Sequence, residues 1–309
     1  MKRFFLFLLL PTILFKISVA QDIRLSLNLP VGYSFITETT QTFIVEQEFM
    51  GIQYNTQMET GSTIHFQVKS INKDSSYNLD CSYQKMNIRV SSMLINMEVN
   101  SETTFSGDSL SAALMLLKNK VFRIKMNTKG VIEDIYGLDE LITEIAKASK
   151  LPEEQAFEFN RNLIQSLGKE ALLDNYKSNS AFYPELSHKL NDKWSFEIDM
   201  IKNGIPMKLS SQIRLKELSK STAIYVSEGR LNSQNPSTEK PQSDQSFYLV
   251  GNEFSEVKIN SKNGLIRESI ISQNITGTIK TPPTDSTSRE TFIPFKVVSR
   301  NTMITNTLK

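Results

Sequence analysis

Few residues of this chain have the types and spacing that chemistry at a protein site requires. Its 309 residues include two His and one Cys, whereas a structural zinc site takes about four ligands. His188 follows Glu185 with the Glu-x-x-His spacing of di-iron bundles, but those bundles use the motif twice together with further Glu ligands. Here it occurs once, directly after Pro184. We therefore predict no metal site and no cofactor.

His65 and Cys81 are the other candidates for a general base and a nucleophile. His65 alternates with Gln67 and Lys69 on the polar side of a strand pattern, so we expect a surface or loosely paired His rather than a catalytic base. Cys81 shares the apolar side of the next strand pattern with Leu79. A thiol in such surroundings stays protonated and packs as a small hydrophobic group. We therefore expect Cys81 to be chemically inert.

The chain lacks the short motifs that position nucleophiles or phosphates. The sequences G-x-S-x-G, G-x-x-x-x-G-K and G-x-G-x-x-G do not occur. The adjacent acids Asp139-Glu140 and Glu153-Glu154 fall at predicted helix starts, where negative charge complements the helix dipole. The sequence thus predicts no catalytic residue and no enzyme activity. A carboxylate pair that forms only in the folded protein stays open as the basis of a hydrolase.

The first 20 residues have the three parts of a signal peptide. These are a positive end, an apolar run and small residues before a cleavage point, namely Lys2-Arg3, Phe4–Leu10 and Ser18-Val19-Ala20. Pro11 and Lys16 interrupt the apolar stretch, and a membrane-spanning helix needs roughly 20 apolar residues. Gln21, rather than a lipid-accepting Cys, follows. We expect export to the periplasm or cell surface, cleavage after Ala20, and no transmembrane segment in the mature chain.

Composition narrows the class of protein further. Lys and Arg number 35, Asp and Glu number 33, and Lys2, Arg3 and Lys16 lie in the expected signal peptide. The mature chain therefore carries no excess of positive charge, which disfavours a nucleic-acid binder. A single Cys excludes an intramolecular disulfide. The hydrophobic fraction of 39% is that of a globular chain.

Alternating apolar and polar residues predict that most of the chain is β. Ile64–Val68 and Tyr77–Tyr83 both alternate, which indicates antiparallel sheets with one buried face. The apolar positions then change phase toward Met86, so we expect a bulge near Gln84 and Lys85. Because a bulge bends its strand, the sheets are predicted to be curved.

Three segments of the first half return in the same order in the second half. They are Tyr33-Ser34-Phe35 with Trp194-Ser195-Phe196, Phe66–Ser75 with Ile213–Thr222, and Lys125–Ile132 with Lys258–Ile266. In the third pair, Gly130 and Gly264 can supply the positive φ that a tight reversal needs. We predict an α+β, predominantly β fold, made of two similar curved antiparallel β halves that arose by internal duplication, with a helical segment between them.

Apolar residues at helical spacing predict helices between the two copies. One covers residues 109–119, a second begins after Gly137, and a third begins near Pro152. We expect their apolar stripes to pack on a sheet. The predicted organisation is a signal peptide at 1–20, a first β repeat at 21–136 with the short helix near 109–119, a helical segment at 137–180 and a second β repeat at 181–309.

Several short motifs follow one another in a characteristic order. They are Phe122-Arg123-Ile124, Lys129–Ile132, Gly137–Leu141, Leu167–Leu172, Tyr183-Pro184, Asp192-Lys193-Trp194 and Gly204–Met207. This order resembles a bacterial exported family classed as domain of unknown function 6263, over nearly the whole mature chain. Where a Gly-Asp-Ser-Trp type of strand start is expected, Asn191–Ser195 keeps the Asp and the Trp. The resemblance implies a cell-envelope protein and transfers no catalytic residue.

Two functions without catalysis follow from these observations. The one we favour is a non-enzymatic binding or interaction module with an unknown envelope protein as partner, because two similar β halves offer exposed edges and faces. The alternative is a periplasmic carrier that holds a lipid or other amphiphilic ligand between a curved sheet and its helices. Five methionines are candidates for an adaptable lining of that carrier: Met86, Met93, Met97, Met115 and Met126.

The aromatic residues at the repeated strand starts bear on the same choice. We expect Tyr33, Phe35, Trp194 and Phe196 to belong to the core at the strand ends, with the lining of a ligand cavity as the alternative. A cavity left unfilled by the helices would favour the carrier. Converging carboxylates would favour a hydrolase, and a solid core would favour the binding module.

Overall fold

The computed structural model describes residues 23–308 except residues 50, 94, 104–108, 149–156, 158–159, 162–163, 165–166, 203–204, 235–245 and 282–290. The expected signal peptide lies outside the described residues, as does most of the helix predicted to begin near Pro152. The predicted boundaries of the repeats at 136 and 180 stay predictions.

Strands dominate the described part of the chain. They are β1 (Ser34–Phe49), β2 (Ile52–Ile71), β3 (Tyr77–Ser92), β4 (Asn96–Asn100), β5 (Val121–Met126), β6 (Ile132–Tyr136), β7 (Lys193–Lys202), β8 (Ile205–Leu218), β9 (Thr222–Ser233), β10 (Ser246–Asn260), β11 (Ile266–Thr281) and β12 (Thr291–Thr307). The helices are α1 (Ser109–Leu117), α2 (Leu138–Ala148) and α3 (Lys169–Lys177), and a 3-10 helix, Ser178–Phe182, follows α3. Within the described residues, none of the helices has the length and apolar character needed to cross a membrane.

All twelve strands belong to one open antiparallel sheet. Their order is β6-β5-β3-β2-β1-β12-β11-β10-β9-β8-β7, and β4 pairs with β3 beside this path. The first half, β1–β6, joins the second half, β7–β12, where β1 pairs with β12 from Phe35 opposite Thr307 to Gln47 opposite Phe295. The predicted predominance of antiparallel β structure is confirmed. The two halves form one continuous sheet.

A bulge interrupts β3 at the place that the sequence predicts. Thr63 of β2 pairs with Lys85, whereas the next residue, Ile64, pairs with Tyr83. Gln84 is therefore the extra residue, and such an insertion bends the strand that carries it. The bulge contributes to the curvature of the sheet.

The helices cover one face of the first half, called the inner face below. Their buried side chains join those of the strands in one cluster, which includes Ala113, Leu114 and Leu117 of α1, Leu138, Ile142 and Ile145 of α2, Leu172 of α3, and Phe66, Leu79, Cys81 and Phe122 of the sheet. The predicted packing of apolar helix stripes on a sheet is confirmed. Apolar side chains fill this contact between helices and sheet, and their burial stabilises both.

The inner face of the second half carries two apolar clusters with a polar belt between them. One cluster contains Ile213, Leu215, Tyr225, Val257 and Ile259, and packs against Leu25, Phe182 and Tyr183. The other contains Met207, Leu209, Leu231, Ile275 and Val297. The belt consists of buried polar side chains, namely Ser211, Ser227, Glu253, Ser255, Gln273 and Ser299. The apolar face of these strands is thus interrupted near mid-strand.

Equivalent hydrogen bonds occur at the starts of β1 and β7. The Gly32 N–H donates to the Val68 carbonyl, and the Asn191 N–H donates to the Leu215 carbonyl, both at 2.8 Å. Gly32 and Asn191 also share a positive φ, at 84° and 71°. The two halves therefore begin with the same local geometry, while the internal duplication itself stays a prediction.

The strand register corrects one detail of the predicted repeat. Phe35 pairs with Phe66, and Trp194 pairs with Ile213. Because Phe66 and Ile213 are counterparts in the sequence repeat, Trp194 rather than Phe196 is the counterpart of Phe35. The sequence match of Tyr33-Ser34-Phe35 with Trp194-Ser195-Phe196 is therefore displaced from the structural match by one alternation of side chains along the strand.

Candidate functional site

The residues of the Glu-x-x-His spacing make separate contacts. The exposed Glu185 forms an ion pair with Lys129, with 3.2 Å between Oε1 and Nζ. His188 stacks on Trp194 with ring centroids 4.4 Å apart, and its Nδ1 lies 3.7 Å from Asp192 Oδ2. Among the described residues, no group of three or more His, Cys, Asp or Glu side chains is arranged to hold a metal ion.

Cys81 and His65 lie on opposite sides of the sheet. Cys81 is 1% exposed within the helix-covered cluster. Burial raises the pKa of its thiol and the charge of Asp80 adds to the rise, so the thiol stays protonated. His65 is half-buried and pairs in register with Ile36 and Ser82. The prediction of Cys81 as a core residue is confirmed.

The acids at the predicted helix starts have structural contacts. Asp139 and Glu140 lie in the first turn of α2. Asp139 Oδ1 also accepts a hydrogen bond of 2.8 Å from the Lys169 N–H, which joins α2 to the start of α3. Lys169 Nζ in turn lies 2.5 Å from Asp134 Oδ1, and this hydrogen bond is the main reason that the pKa of Asp134 is lowered. Glu153 lies outside the described residues, together with Glu154.

The methionines proposed for an amphiphile site fall into different environments. Met86 and Met126 are buried in the helix-covered cluster, and Met97 packs at its edge. Met93 and Met115 are exposed. The five side chains therefore do not share one lining.

Two of the aromatic residues at the strand starts pack in the core as predicted. Phe35 stacks on Phe66 with ring centroids 4.8 Å apart. Trp194 packs edge-on against Tyr225 at 5.6 Å, and its Nε1 donates to the Ala181 carbonyl at 3.0 Å. These contacts hold the first strand of each half to its own apolar cluster.

A groove of about 1180 Å³ crosses the second half on the outer face, opposite the apolar clusters. Cross-strand pairing aligns its lining in two rows. One row runs Ser195, Gln212, Glu228, Phe254, Ser272 and Arg300, and the other runs Glu197, Ser210, Arg230, Asn252, Asn274 and Val298. Lys193, Arg214 and Val226 extend the lining. We call this depression the β7–β12 groove.

The polar belt of the inner face lies directly beneath this groove. Side chains alternate between faces along a strand, so the residues between the two rows present backbone to the groove and side chains to the belt. A Cβ added at Gly229 would lie 2.6 Å from Ser211 Oγ, so the absence of a side chain at Gly229 leaves room for the Ser211 hydroxyl. Gln273 Nε2 donates to Glu253 Oε2 at 2.5 Å, and Ser299 Oγ donates to Gln273 Oε1 at 3.2 Å. These hydrogen bonds tie three neighbouring strands together under the groove.

Positive side chains outnumber negative ones on the walls of the groove. The outer-face cations of the lining are Lys193, Arg214, Arg230 and Arg300, and the outer-face acids are Glu197 and Glu228. Lys208 Nζ lies 2.7 Å from Glu197 Oε2. The hydrogen bonds from Lys208 and then Ser210 hold the pKa of Glu197 below its usual range, so Glu197 remains an ionised, paired group.

The cations of the groove have few internal partners. Within the described part of the chain, neither Arg230 nor Arg300 forms an ion pair or a side-chain hydrogen bond. Arg214 Nη1 donates to Asn191 Oδ1 at 3.4 Å. Lys193 and Arg214 lie directly opposite each other on β7 and β8, and like charges in that relation repel. The groove can therefore accept negative charge from a ligand.

A family profile covers the centre of the chain. Residues 74–266 match DUF6263, a family of unknown function. The chain belongs to this family. The matched range runs from the turn before β3 to the start of β11, so DUF6263 includes all three described helices and most of the strands that line the groove. No curated protein matches the chain.

Solved structures resemble the chain only distantly. Lipovitellin, whose structure is titled for its lipid–protein interactions, is 9% identical to this chain, with a TM-score of 0.49. The match covers 90% of this chain but 25% of the lipovitellin chain. An outer membrane channel from Pseudomonas putida F1 is 9% identical with a TM-score of 0.24, covering 91% of this chain and 97% of that one. OccK7 from Pseudomonas aeruginosa is 5% identical with a TM-score of 0.26, and the match covers 90% of this chain and 100% of OccK7.

The sequence patterns did not single out the arginines of the groove. Arg230 and Arg300 occupy outward positions of strands that are far apart in the chain, and each one alone is typical of a solvated strand face. The available signal was the presence of Arg, Asn and Ser at outward positions of β7–β12, where Lys and Glu also occur. Only the strand order of the sheet brings these positions to one surface.

Proposed function

We propose that this DUF6263 protein is an exported, non-enzymatic binding module of the cell envelope that contacts its partner at the β7–β12 groove. The groove itself carries the proposal, because six strands present charged and hydrogen-bonding side chains outward around one depression. The signal-like sequence that ends at Ala20 supports export to the periplasm or cell surface.

The acids of the groove fit recognition better than catalysis. A general acid or base works best with a pKa near the operating pH, whereas Lys208 and Ser210 lower the pKa of Glu197. Glu228 has Gln212 and Phe254 as its direct cross-strand neighbours rather than a second carboxylate. We infer that these acids help to position a ligand and do not carry a reaction.

The amphiphile carrier has weaker support than the surface module. A carrier needs a space between sheet and helices, and there the buried side chains of α1 and α2 contact those of the sheet directly. The β7–β12 groove is lined by strands alone and lies on the opposite face. A lipid bound beneath the helices would displace part of the core.

We also propose that the two halves arose by internal duplication. The matched hydrogen bonds of Gly32 and Asn191 support this origin. Register shifts at Lys125 in β5 and Lys258 in β10, which are counterparts in the sequence repeat, support it as well.

Site-specific photo-crosslinking tests the proposed binding surface. A benzoylphenylalanine would replace Gln212 in the groove or, as a control, Ser91, which is also exposed on the outer face but lies outside the groove lining. We expect irradiation of whole cells to give an adduct of increased mass with the Gln212 probe and none with the Ser91 probe. Equal adducts from both positions, or none from either, would contradict a groove-specific function.

A further inference from the structure

We propose that the β7–β12 groove binds an acidic polysaccharide, an extended glycan that carries carboxylate or phosphate groups. This inference rests on the proposed binding function and names the chemistry of the ligand. Three features of the groove support it: the surplus and spacing of its cations, the uncharged side chains between them, and one exposed aromatic ring.

The cations on the outer face of the groove outnumber the acids that the described protein places beside them. Arg230 and Arg300 are exposed and have no ion pair within the described residues, while Lys193 and Arg214 face each other across β7 and β8. Of the two outer-face acids in the lining, Glu197 is held by Lys208. An anion placed against these groups would relieve the repulsion and form charge-assisted hydrogen bonds to guanidinium groups.

The spacing of the cations favours an elongated ligand over a small ion. Neighbouring strands lie about 4.8 Å apart. Arg300 on β12 is three strands from Arg230 on β9, which corresponds to about 14 Å across the sheet, and four strands from Arg214 on β8, about 19 Å. A single phosphate or carboxylate cannot reach both ends, whereas a polymer with repeated charges can.

The groups between the cations suit sugar units. Hydroxyl and amide side chains form most of the remaining walls: Ser195, Ser210, Gln212, Asn252, Ser272 and Asn274. Such groups both donate and accept hydrogen bonds, as sugar hydroxyls do. Phe254, 47% exposed near the middle of the groove, offers a flat apolar surface for the C–H face of a sugar ring.

Single-stranded nucleic acid fits the groove less well. Such strands bind grooves in which successive bases stack on several aromatic side chains. The outer-face lining contains Phe254 as its aromatic residue, since the Phe196 side chain alternates to the inner face with Trp194. The near balance of 35 basic and 33 acidic residues in the whole chain also lacks the positive field that drives phosphate-backbone binding.

Calorimetric titration of the mature chain with defined polymers tests the inference. The probes are polygalacturonate, which bears carboxylates, phosphomannan, which bears phosphates, neutral dextran, and oligodeoxythymidylate. We expect one or both acidic glycans to bind at low salt, with affinity falling as salt rises, and dextran to bind at least about tenfold more weakly, as expected if charge-assisted contacts are lost. Failure of both acidic glycans, equal binding of dextran, or preferred binding of the oligonucleotide would overturn the inference.

Matched arginine variants locate the binding. We expect Arg230→Gln combined with Arg300→Gln to weaken acidic-glycan binding at least about tenfold, and Phe254→Ala to weaken it as well. Arg89→Gln is the control, because Arg89 lies on the same outer face in an ion pair with Glu98. Equal losses from the control and the groove variants would overturn the inference. If no glycan binds but the Gln212 probe still gives its adduct, the ligand class is wrong and the binding module stands; loss of both results removes both proposals.

Discussion

At the scale of single residues, burial determines what the one thiol of this chain can do. Cys81 is enclosed by the cross-strand neighbours Phe66 and Phe122 and by the helix-covered cluster. Desolvation favours the neutral thiol and raises its pKa. Its chemistry is therefore that of a packed apolar group.

We expect Cys81→Ser to destabilise the protein by about 1–3 kcal/mol, because it places a hydroxyl among apolar side chains. Urea unfolding of wild type and variant measures the loss. Cys81→Ala is the control, since it leaves a small cavity without adding a polar group. A Cys81→Ser variant as stable as the wild type would contradict the core assignment of this residue.

Asp74 shows the opposite case of an exposed carboxyl held ionised by its neighbours. The Ser76 side chain and backbone N–H donate to Asp74 Oδ1 at 2.6 and 2.9 Å, and Lys125 Nζ lies 3.3 Å from Oδ2. These contacts, the Ser76 hydroxyl first, lower the pKa of Asp74 from 3.8 to about 2. Because the folded pKa is the lower one, the carboxylate stabilises the turn above about pH 4 and that stability is lost as pH falls toward 2.

Ser76→Ala is expected to raise the pKa of Asp74 toward its ordinary value of 3.8. Carbon-detected NMR titration of the Asp74 carboxyl measures this change. Lys125→Met removes the more exposed charge contact and should raise the pKa by less than Ser76→Ala does. A larger rise in the lysine variant would show that the ion pair, rather than the hydroxyl, controls this carboxyl.

At the scale of elements, the two counterpart turns differ in what surrounds them. Gly130 and Gly264 have nearly the same positive φ, 69° and 70°. A Cβ at Gly130 would meet only ordinary contacts, the nearest being a Tyr183 ring atom at 3.5 Å, whereas a Cβ at Gly264 would collide with the backbone of Ser26. The extended segment before β1 therefore packs tightly at Ser26 on the turn that contains Gly264.

We expect Gly130→Ala to cost about 1–2 kcal/mol of stability, the strain of a left-handed backbone with a side chain. Gly264→Ala should cost clearly more, because Ser26 must also move. Thermal unfolding of the two single variants gives the comparison. Equal losses would mean that the contact with Ser26 adds nothing to the stability of the turn.

Sequence patterns predict elements that are governed by neighbours in the chain. The alternation in β2 and β3, the bulge at Gln84 and the helix at α1 all depend on local spacing, and the structure confirms each one. The pairing of Phe35 with Phe66 and of Trp194 with Ile213 depends on which residues the turns leave opposite each other. The sequence matches Phe35 with Phe196 because both are aromatic, whereas the strand pairing matches Phe35 with Trp194, one alternation earlier.

At the scale of the whole molecule, one sheet links the ends of the chain. β1 pairs with β12 along its length, and Thr37 Oγ1 lies 3.3 Å from Thr305 Oγ1 in a buried contact at this seam. Neither the seam nor the β7–β12 groove has a signature in local sequence, since each depends on the order of distant strands. The β-rich architecture of the halves was predictable from the sequence, but the seam and the groove were not.

We expect both halves to unfold in one cooperative transition, because the β1–β12 seam couples them. The only Trp and the only Cys report on different halves, with Trp194 in the second and Cys81 in the first. Trp fluorescence and pulsed thiol labelling through a urea series should give coincident midpoints. Separate midpoints would show that the seam does not bind the halves into one folding unit.

We propose that this protein binds a polar partner on the outer face of β7–β12 and carries no lipid beneath its helices. Native mass spectrometry tests it directly on the mature chain, purified gently from its own cells, followed by organic extraction of the same sample. We predict no stoichiometric amphiphile, and any retained ligand should be polar and absent from the combined Arg230→Gln and Arg300→Gln variant. A stoichiometric amphiphile held equally by wild type and variant would contradict this proposal and support the function of an amphiphile carrier.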